Sequence, residues 1–355
     1  MPTERGSATR TRIDEAWIRG LPKAEVHVHL EGNFELTDIL DLAKAAGEPL
    51  PGPARTLFDV STHVGAGGTA GLSAFLDFLD WECGLVRTRE QLARHAYTFA
   101  ARQTASGIRY TDAIVNPTHW SAWNGRMPEL FDALASGFDE AEQDGLAEVR
   151  LSLSLLRQQS AAEAMSTVRW MIAARPPRVV GLSIDGDERN AGRVSDRFAE
   201  AFTLARDAGF RRTVHAGESS GPEGVWDAIR ALHAERIDHG VRSIEDPELI
   251  SHLADTGIPL GVCPRSNVAL GIYGDWAEHP LLLLRDAGVT VTINTDDPGP
   301  LGTTLETDWA VCAEVFGLDE DDLRAFALAS VDASFAPEST KTALRAEIAA
   351  YPAAR

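Results

Sequence analysis

Lysine is almost missing from this chain. Lys23, Lys44 and Lys341 are the only three in 355 residues, and arginine supplies the rest of a basic total of 33. Against 53 acidic residues this leaves a formal net charge of -20. Nucleic-acid affinity comes largely from cations set on phosphates, and an anionic membrane surface selects the same cations; both partner classes are excluded. Cysteine is scarce too. Cys83, Cys263 and Cys312 are odd in number and far apart, which excludes a disulfide framework and a cysteine-based zinc site. No apolar run reaches the ~20 residues of a membrane span, and the polar stretch Met1 to Asp14 contains no apolar core of signal-peptide length. A cytoplasmic location is the expectation. With 44% hydrophobic and 24% charged residues the composition is that of a globular enzyme, not a disordered chain. The exposed faces of the expected helices show no apolar stripe, so neither monomer nor dimer is favoured.

What is present is an alternation of short apolar runs with amphipathic stretches, the pattern of repeated β-α units. The apolar runs are Ala24–Leu30, Ile108–Asn116, Glu148–Leu156, Arg178–Ile184, Arg211–His215, Arg236–His239, Pro259–Cys263 and Thr290–Thr295. Several are rich in β-branched residues, as buried parallel strands are. Thr88-Arg-Glu-Gln91 predicts a capping box, with Gly107 at the far end of that helix. Asp246 before Pro247 predicts a second helix start, closed by Gly257, and Thr303 to Glu306 a third. Eight strands with intervening helices predict an α/β fold, a (β/α)8 TIM barrel, as a single domain over residues 1–355. A dinucleotide-binding sheet would want a G-x-G-x-x-G turn after its first strand; His27-Val-His-Leu-Glu-Gly-Asn33 is not one. The gap between the first two strands exceeds one helix. Residues 33–105, including a Pro/Gly-rich patch from Pro49 to Gly71, predict a helical insertion near the barrel mouth.

Chemistry-bearing residues gather at the carboxyl ends of these strands, where barrel enzymes keep their active sites. His27 and His29 are two apart on the first strand, so both imidazoles share a face. His215-Ala-Gly-Glu218 ends the fifth strand, His239-Gly240 the sixth and Asp296-Asp297-Pro298 the eighth. Taken singly, each is compatible with a turn or a satisfied core histidine. Taken together they converge on one mouth and predict a catalytic metal site. Three imidazoles and a carboxylate with an open position suit zinc best, with iron, cobalt and manganese as alternatives. Binuclear barrel hydrolases commonly bridge their metals with a carboxylated lysine on a barrel strand. No lysine lies between Lys44 and Lys341, so one metal per chain is expected.

The motifs Leu-Pro-Lys-Ala-Glu-Val-His27-Val-His29-Leu-Glu-Gly, His215-Ala-Gly-Glu218, Arg-Ile-Asp-His239-Gly, Cys263-Pro-Arg-Ser-Asn267 and Asn294-Thr-Asp296-Asp297-Pro resemble the adenosine/adenine deaminase family of zinc-dependent amidohydrolases, in order and spacing from about Leu21 to about Glu347. The resemblance implies hydrolytic deamination of an adenine-type purine, a small molecule. It makes His27, His29, His215 and Asp296 the Zn2+ ligands, the zinc lowering the pKa of a water toward roughly 7 for attack at C6. His239 would orient and deprotonate that water. Glu218 would protonate N1 and must hold its proton to do so, which calls for a pKa raised by burial. Asp297 would contact N7, and the Gly186 backbone N–H would reach N3.

Substrate-facing positions depart from the nucleoside pattern. Adenosine-specific members usually carry aspartate after H-x-H-Leu, where it meets the ribose; here it is Glu31, as in adenine deaminases. Asn294-Thr295 leans the other way. Ser183 and Asp185 stand where the family favours aspartate and alanine. The leading expectation is adenosine or 2′-deoxyadenosine, with adenine or a modified adenine nucleoside such as aminodeoxyfutalosine as the alternative. Trp120 and Trp123, after the second strand, have two readings: aromatic walls for a base, or packing against the inserted helices. Arg157, Arg265 and Asn267 could bind substrate or order loops.

Overall fold

A computed structural model describes residues 13–57 and 69–354. The first twelve residues, and residues 58–68 of the Pro/Gly-rich patch, lie outside the described residues. Eight parallel strands follow one another around a single sheet: β1 Lys23–His29, β2 Ile108–Val115, β3 Glu148–Leu156, β4 Val179–Asp185, β5 Arg211–Ala216, β6 Arg236–His239, β7 Leu260–Val262 and β8 Val291–Ile293. Each expected strand is present within two residues of its apolar run. Past the end of β8, Asp296 pairs with Val28 in a parallel bridge. His29 N–H donates to Asp296 O (2.8 Å) and Asp296 N–H to His27 O (3.2 Å). The (β/α)8 barrel therefore closes through the backbone of residues that also carry the chemistry.

Local sequence explains the helix ends. Thr88 Oγ1 accepts from Gln91 N–H while the Gln91 side chain accepts from Thr88 N–H, opening Arg89–Ala105. Asp246 caps Pro247–Thr256, which ends on left-handed Gly257. The third expected start is displaced by one residue. Thr304 caps Leu305–Phe316, because the Thr303 hydroxyl is engaged by Asp308 Oδ1 at 2.6 Å. Lys23 opens β1 with its ammonium donating to Ile18 O, Leu21 O and Ser106 O at 3.0, 2.8 and 2.8 Å. It ties down the carbonyl ends of Glu15–Gly20 and Arg89–Ala105, and it serves the start of the strand, not the mouth.

Among the described residues between β1 and β2 are the helices Leu36–Ala46, Thr69–Gly84 and Arg89–Ala105 and two short 3-10 turns. Arg89–Ala105 packs on β2 and on Met127–Gln143, which carries Gly137. A Cβ there would lie 2.0 Å from Ala93 O, so the glycine permits the close helix crossing. Thr69–Gly84 sends Phe75, Leu76 and Leu79 to the cavity at the barrel mouth. Among the described residues no helix is long and apolar enough to cross a membrane.

Candidate metal centre and purine pocket

Four of the sequence-predicted residues converge. The ligand atoms of His27, His29, His215 and Asp296 lie within 4.8 Å of one another, all buried or nearly so. His27 Nδ1–H donates to Gly261 O at 2.7 Å, which leaves Nε2 a bare lone pair. That lone pair faces His215 Nε2 at 3.1 Å, and His29 Nε2 is 3.0 Å from the same atom. Asp296 Oδ1 is 3.2 Å from His27 Nε2 and 3.4 Å from His29 Nε2. Imidazole nitrogens turned on one another around a carboxylate oxygen form a donor set that a cation completes, and N3O is a zinc-type set. A second grouping, His27, His239, Cys263 and Asp296, shares two of these residues. It is the poorer set: His27 Nδ1, 3.3 Å from Cys263 Sγ, already serves Gly261, and burial pushes the Cys263 thiol up, away from thiolate.

Backbone conformation aims two of these side chains. His239 (φ 67°) and Asp296 (φ 68°) both sit in the left-handed region. For residues with a Cβ this costs of order 1 kcal/mol, and such conformations cluster at functional sites. A glycine would relieve the strain and forfeit the imidazole or the carboxylate.

The neighbours of these groups come from segments whose roles the sequence left open. Ser266 Oγ donates to Asp296 Oδ2 at 2.7 Å. Leu281 N–H donates to His279 Nδ1 (3.2 Å), His279 Nε2–H to Asn267 Oδ1 (3.1 Å), and Asn267 Nδ2 to His239 Nδ1 (3.4 Å). This chain leaves the neutral His239 ring with its proton on Nε2, facing Glu218 Oε1 (3.6 Å) and Asp296 Oδ2 (3.9 Å). The tautomer suits orienting a water; the deprotonation also expected of His239 needs the other one. Burial and the neighbouring His27 pull its pKa down to about 4, so the ring is neutral at pH 7. Asp238 Oδ2 stands 3.6 Å from His215 Nδ1, which has no hydrogen-bond partner among the described residues. Arg157 donates to His215 O. Arg265 reaches Asp308, and so orders the loop.

Around the metal-type cluster the cavity is walled by Glu31, His119, Asp185, Gly186, Glu218, Leu270 and Asp297. Glu218 is buried and its Oε1 has no hydrogen-bond partner among the described residues. Burial, then the charges of Asp296 and Glu188, push its carboxyl well above the ordinary range, the condition for a proton donor at neutral pH. Asp297 is raised to about 7 by burial and by Asp296. Its side chain packs against Gly32, where a Cβ would lie 2.0 Å from Asp297 Oδ1. Gly186 takes φ 98°, which explains a glycine, and it also lines the cavity. Glu31 Oε1 accepts from Trp120 Nε1 (2.6 Å) and Asn116 N–H (2.9 Å), while Oε2 is unpartnered among the described residues. Asp185 Oδ1 accepts from Asn116 Nδ2 at 2.6 Å. Trp120 and Trp123 are buried off the cavity; Trp120 holds Glu31, and Trp123 Nε1 donates to Val86 O. Packing, not base stacking, accounts for both.

The model of the adenosine deaminase family matches residues 22–351. This chain belongs to the adenosine deaminase family. Like its relatives it is a hydrolase that deaminates adenine-type purines at a C–N bond. An adenine deaminase from Rhizobium leguminosarum bv. trifolii is 35% identical over 328 residues, covering 92% of this chain and 99% of the relative. The crystal structure of an adenine deaminase from Arthrobacter aurescens superposes with a TM-score of 0.86 at 27% identity, covering 92% of this chain and 98% of that one. An amidohydrolase from Burkholderia ambifaria with bound Zn gives 0.86 at 30% identity, covering 98% and 95%. These relatives favour the adenine alternative over the leading expectation of adenosine.

Proposed function

We propose that this chain hydrolyses adenine to hypoxanthine and ammonia in the cytoplasm, using one zinc ion per chain held by His27, His29, His215 and Asp296. The observation that carries the substrate is Glu31. In adenosine-specific members an aspartate at this place meets the ribose. Here the longer acid is clamped through one oxygen by Trp120 and Asn116, and its other oxygen has no hydrogen-bond partner among the described residues. A buried acceptor without a donor is costly. The N–H at N9 of free adenine satisfies it; in adenosine that nitrogen carries the sugar and has no proton to give.

Zinc, when bound, supplies Lewis-acid activation of a water at the open position. His239, its ring set by Asn267, orients the water against C6. Glu218 donates its proton to N1 as C6 becomes tetrahedral; the carboxylate so formed takes up one proton of the added water and hands it to the leaving ammonia, and the second proton of that water restores Glu218 as C6 becomes a carbonyl. Asp297, raised to about 7, shares a proton with N7, and the Gly186 N–H meets N3. Phe75, Leu76 and Leu79, from the inserted helices of residues 33–105, wall the pocket and keep bulk water out. The test is kcat/KM for adenine, adenosine, 2′-deoxyadenosine and aminodeoxyfutalosine, with ammonia release as the readout. Adenine should lead. A nucleoside leading would overturn the reading of Glu31, and turnover of none would overturn the purine reading.

A further inference from the structure

Four consecutive backbone N–H groups that follow β5 converge on one carboxylate. Glu218, Ser219 and Ser220 N–H donate to Glu188 Oε2 at 2.9, 2.9 and 3.1 Å, and Gly217 N–H to Oε1 at 3.1 Å. The Ser220 hydroxyl adds a fifth bond to Oε1 at 2.8 Å. Such a concavity of amides usually receives an external anion; here the chain fills it with its own acid. Glu188 is 5% exposed. Its backbone is fixed because Asp187 caps the short turn Glu188–Ala191, accepting from Arg189 and Asn190 N–H. Arg157 stands 3.6 Å from Glu188 Oε1 and donates to His215 O. A buried ion pair from the β3 and β4 loops thus grips both ends of the segment running from His215 to Ser220.

Within that segment lies Glu218. Its Oε1 makes no hydrogen bond among the described residues and has His239 Nε2 beside it at 3.6 Å, so the carboxyl depends on where the backbone carries it, and the backbone N–H is bonded to Glu188. We infer that Glu188 is a positioning residue for the proton donor: it holds the Glu218 loop as an internal anion in a nest of amides, and the reaction depends on it through Glu218. This rests on the role assigned to Glu218 above. Burial opposes the charge on Glu188, but Arg157 and the amides hold its carboxyl below the ordinary range, so it stays the anion the nest requires. The Glu188 charge is also among those that raise the Glu218 carboxyl.

Glu188→Gln in the metal-loaded enzyme is the decisive variant. It keeps the volume, but whichever way the amide turns, its NH2 faces N–H donors that had an acceptor. Glu188→Ala removes the anion altogether. For Glu188→Gln, kcat for adenine should fall about 10-fold or more, since misplacement of a reacting group by about 1 Å can cost 10²-fold. KM should stay within about 3-fold, and metal content should not change. Hydrogen exchange should quicken at residues 217–220 and stay protected in β5. In a Glu218→Gln background the same substitution should cost nothing further in kcat, because the group it positions is already gone. Wild-type kcat, losses that add in the double variant, or unchanged exchange at 217–220 would each overturn the inference. If the wild-type enzyme does not turn over adenine, the functional reading fails by itself, and exchange at 217–220 still decides whether Glu188 holds the loop.

Discussion

Gly32→Ala is a small change with a large expected consequence. Gly32 has φ -87° and ψ 25°, which alanine adopts without strain, so the effect comes from the added methyl alone. An ideal Cβ at residue 32 lies 2.0 Å from Asp297 Oδ1, 2.5 Å from its Cβ and 2.6 Å from its Cγ. Ordinary contact begins at 3.4 Å, so Asp297 must retreat by about 1.4 Å. The Gly32 backbone cannot retreat instead. Its carbonyl accepts from Gly299 N–H at 2.8 Å, and at Gly299 a Cβ would already be 2.1 Å from Phe34 O, so these two loops are in backbone contact. Asp297 is thereby driven off the position from which it would hold N7. A misplacement of this size costs on the order of 10²-fold in rate, or about 2.7 kcal/mol of barrier. The assay is kcat and KM for adenine by ammonia release, beside metal content and a thermal melt. The expected result is a kcat lowered about 100-fold, metal retained and the melting temperature little changed. Because Asp297 also adjoins Asp296, metal loss would show that the damage spread to the ligand. Wild-type kcat with metal retained would refute the reasoning, either because Asp297 yields at no cost or because it does not contact the substrate.

Three further outcomes are expected. Glu218→Gln should keep its metal and lose about 10²- to 10⁴-fold in kcat, the range for a positioned general acid; retained turnover would remove Glu218 from that role. Elemental analysis of purified protein should find one zinc-type ion per chain, and chelation should lower the melting temperature, since the converging imidazoles lose the charge that binds them; two tightly held ions would contradict the lysine argument. His95, buried with Nε2–H donating to Leu30 O at 2.9 Å, has its pKa pulled down to about 4 by burial. A group depressed on folding lends stability above its unfolded pKa, near 6.5, and loses it as pH falls through about 4. In melts from pH 7 to pH 4 the gap between wild type and His95→Gln should narrow by up to about 3 kcal/mol; parallel curves would show that His95 is not charged on unfolding.

Much of this protein is determined by sequence alone, and the reason is local. Strands buried on both faces must be short, apolar and β-branched, so all eight could be read, with errors confined to their ends. Caps depend on residues three or four apart, and two of the three expected helix starts lie at the expected residues. The third moved by one because the Thr303 hydroxyl bonds Asp308 inside the helix itself, leaving Thr304 to cap it. The metal-type residues were legible because strand periodicity and the barrel rule send strand-end side chains to one mouth. Lysine scarcity bears on the metal through composition alone, and the fold accounts for Lys23, which binds helix ends away from the mouth.

Other features depend on contacts between residues far apart in the chain, which no spacing encodes. Glu188 holds a loop about thirty residues on, Ser266 and Asn267 set Asp296 and His239, and Trp120 turns Glu31. The left-handed backbone at His239 and Asp296 likewise belongs to the strand ends and, for Asp296, to the closure of the barrel. Residue identity at the strand ends thus determined the reaction class. The tertiary structure decided which carboxylate oxygens are satisfied and which are left open. The Glu31 oxygen without a hydrogen-bond partner among the described residues supports adenine over adenosine, because a buried acceptor selects the substrate that brings it a proton.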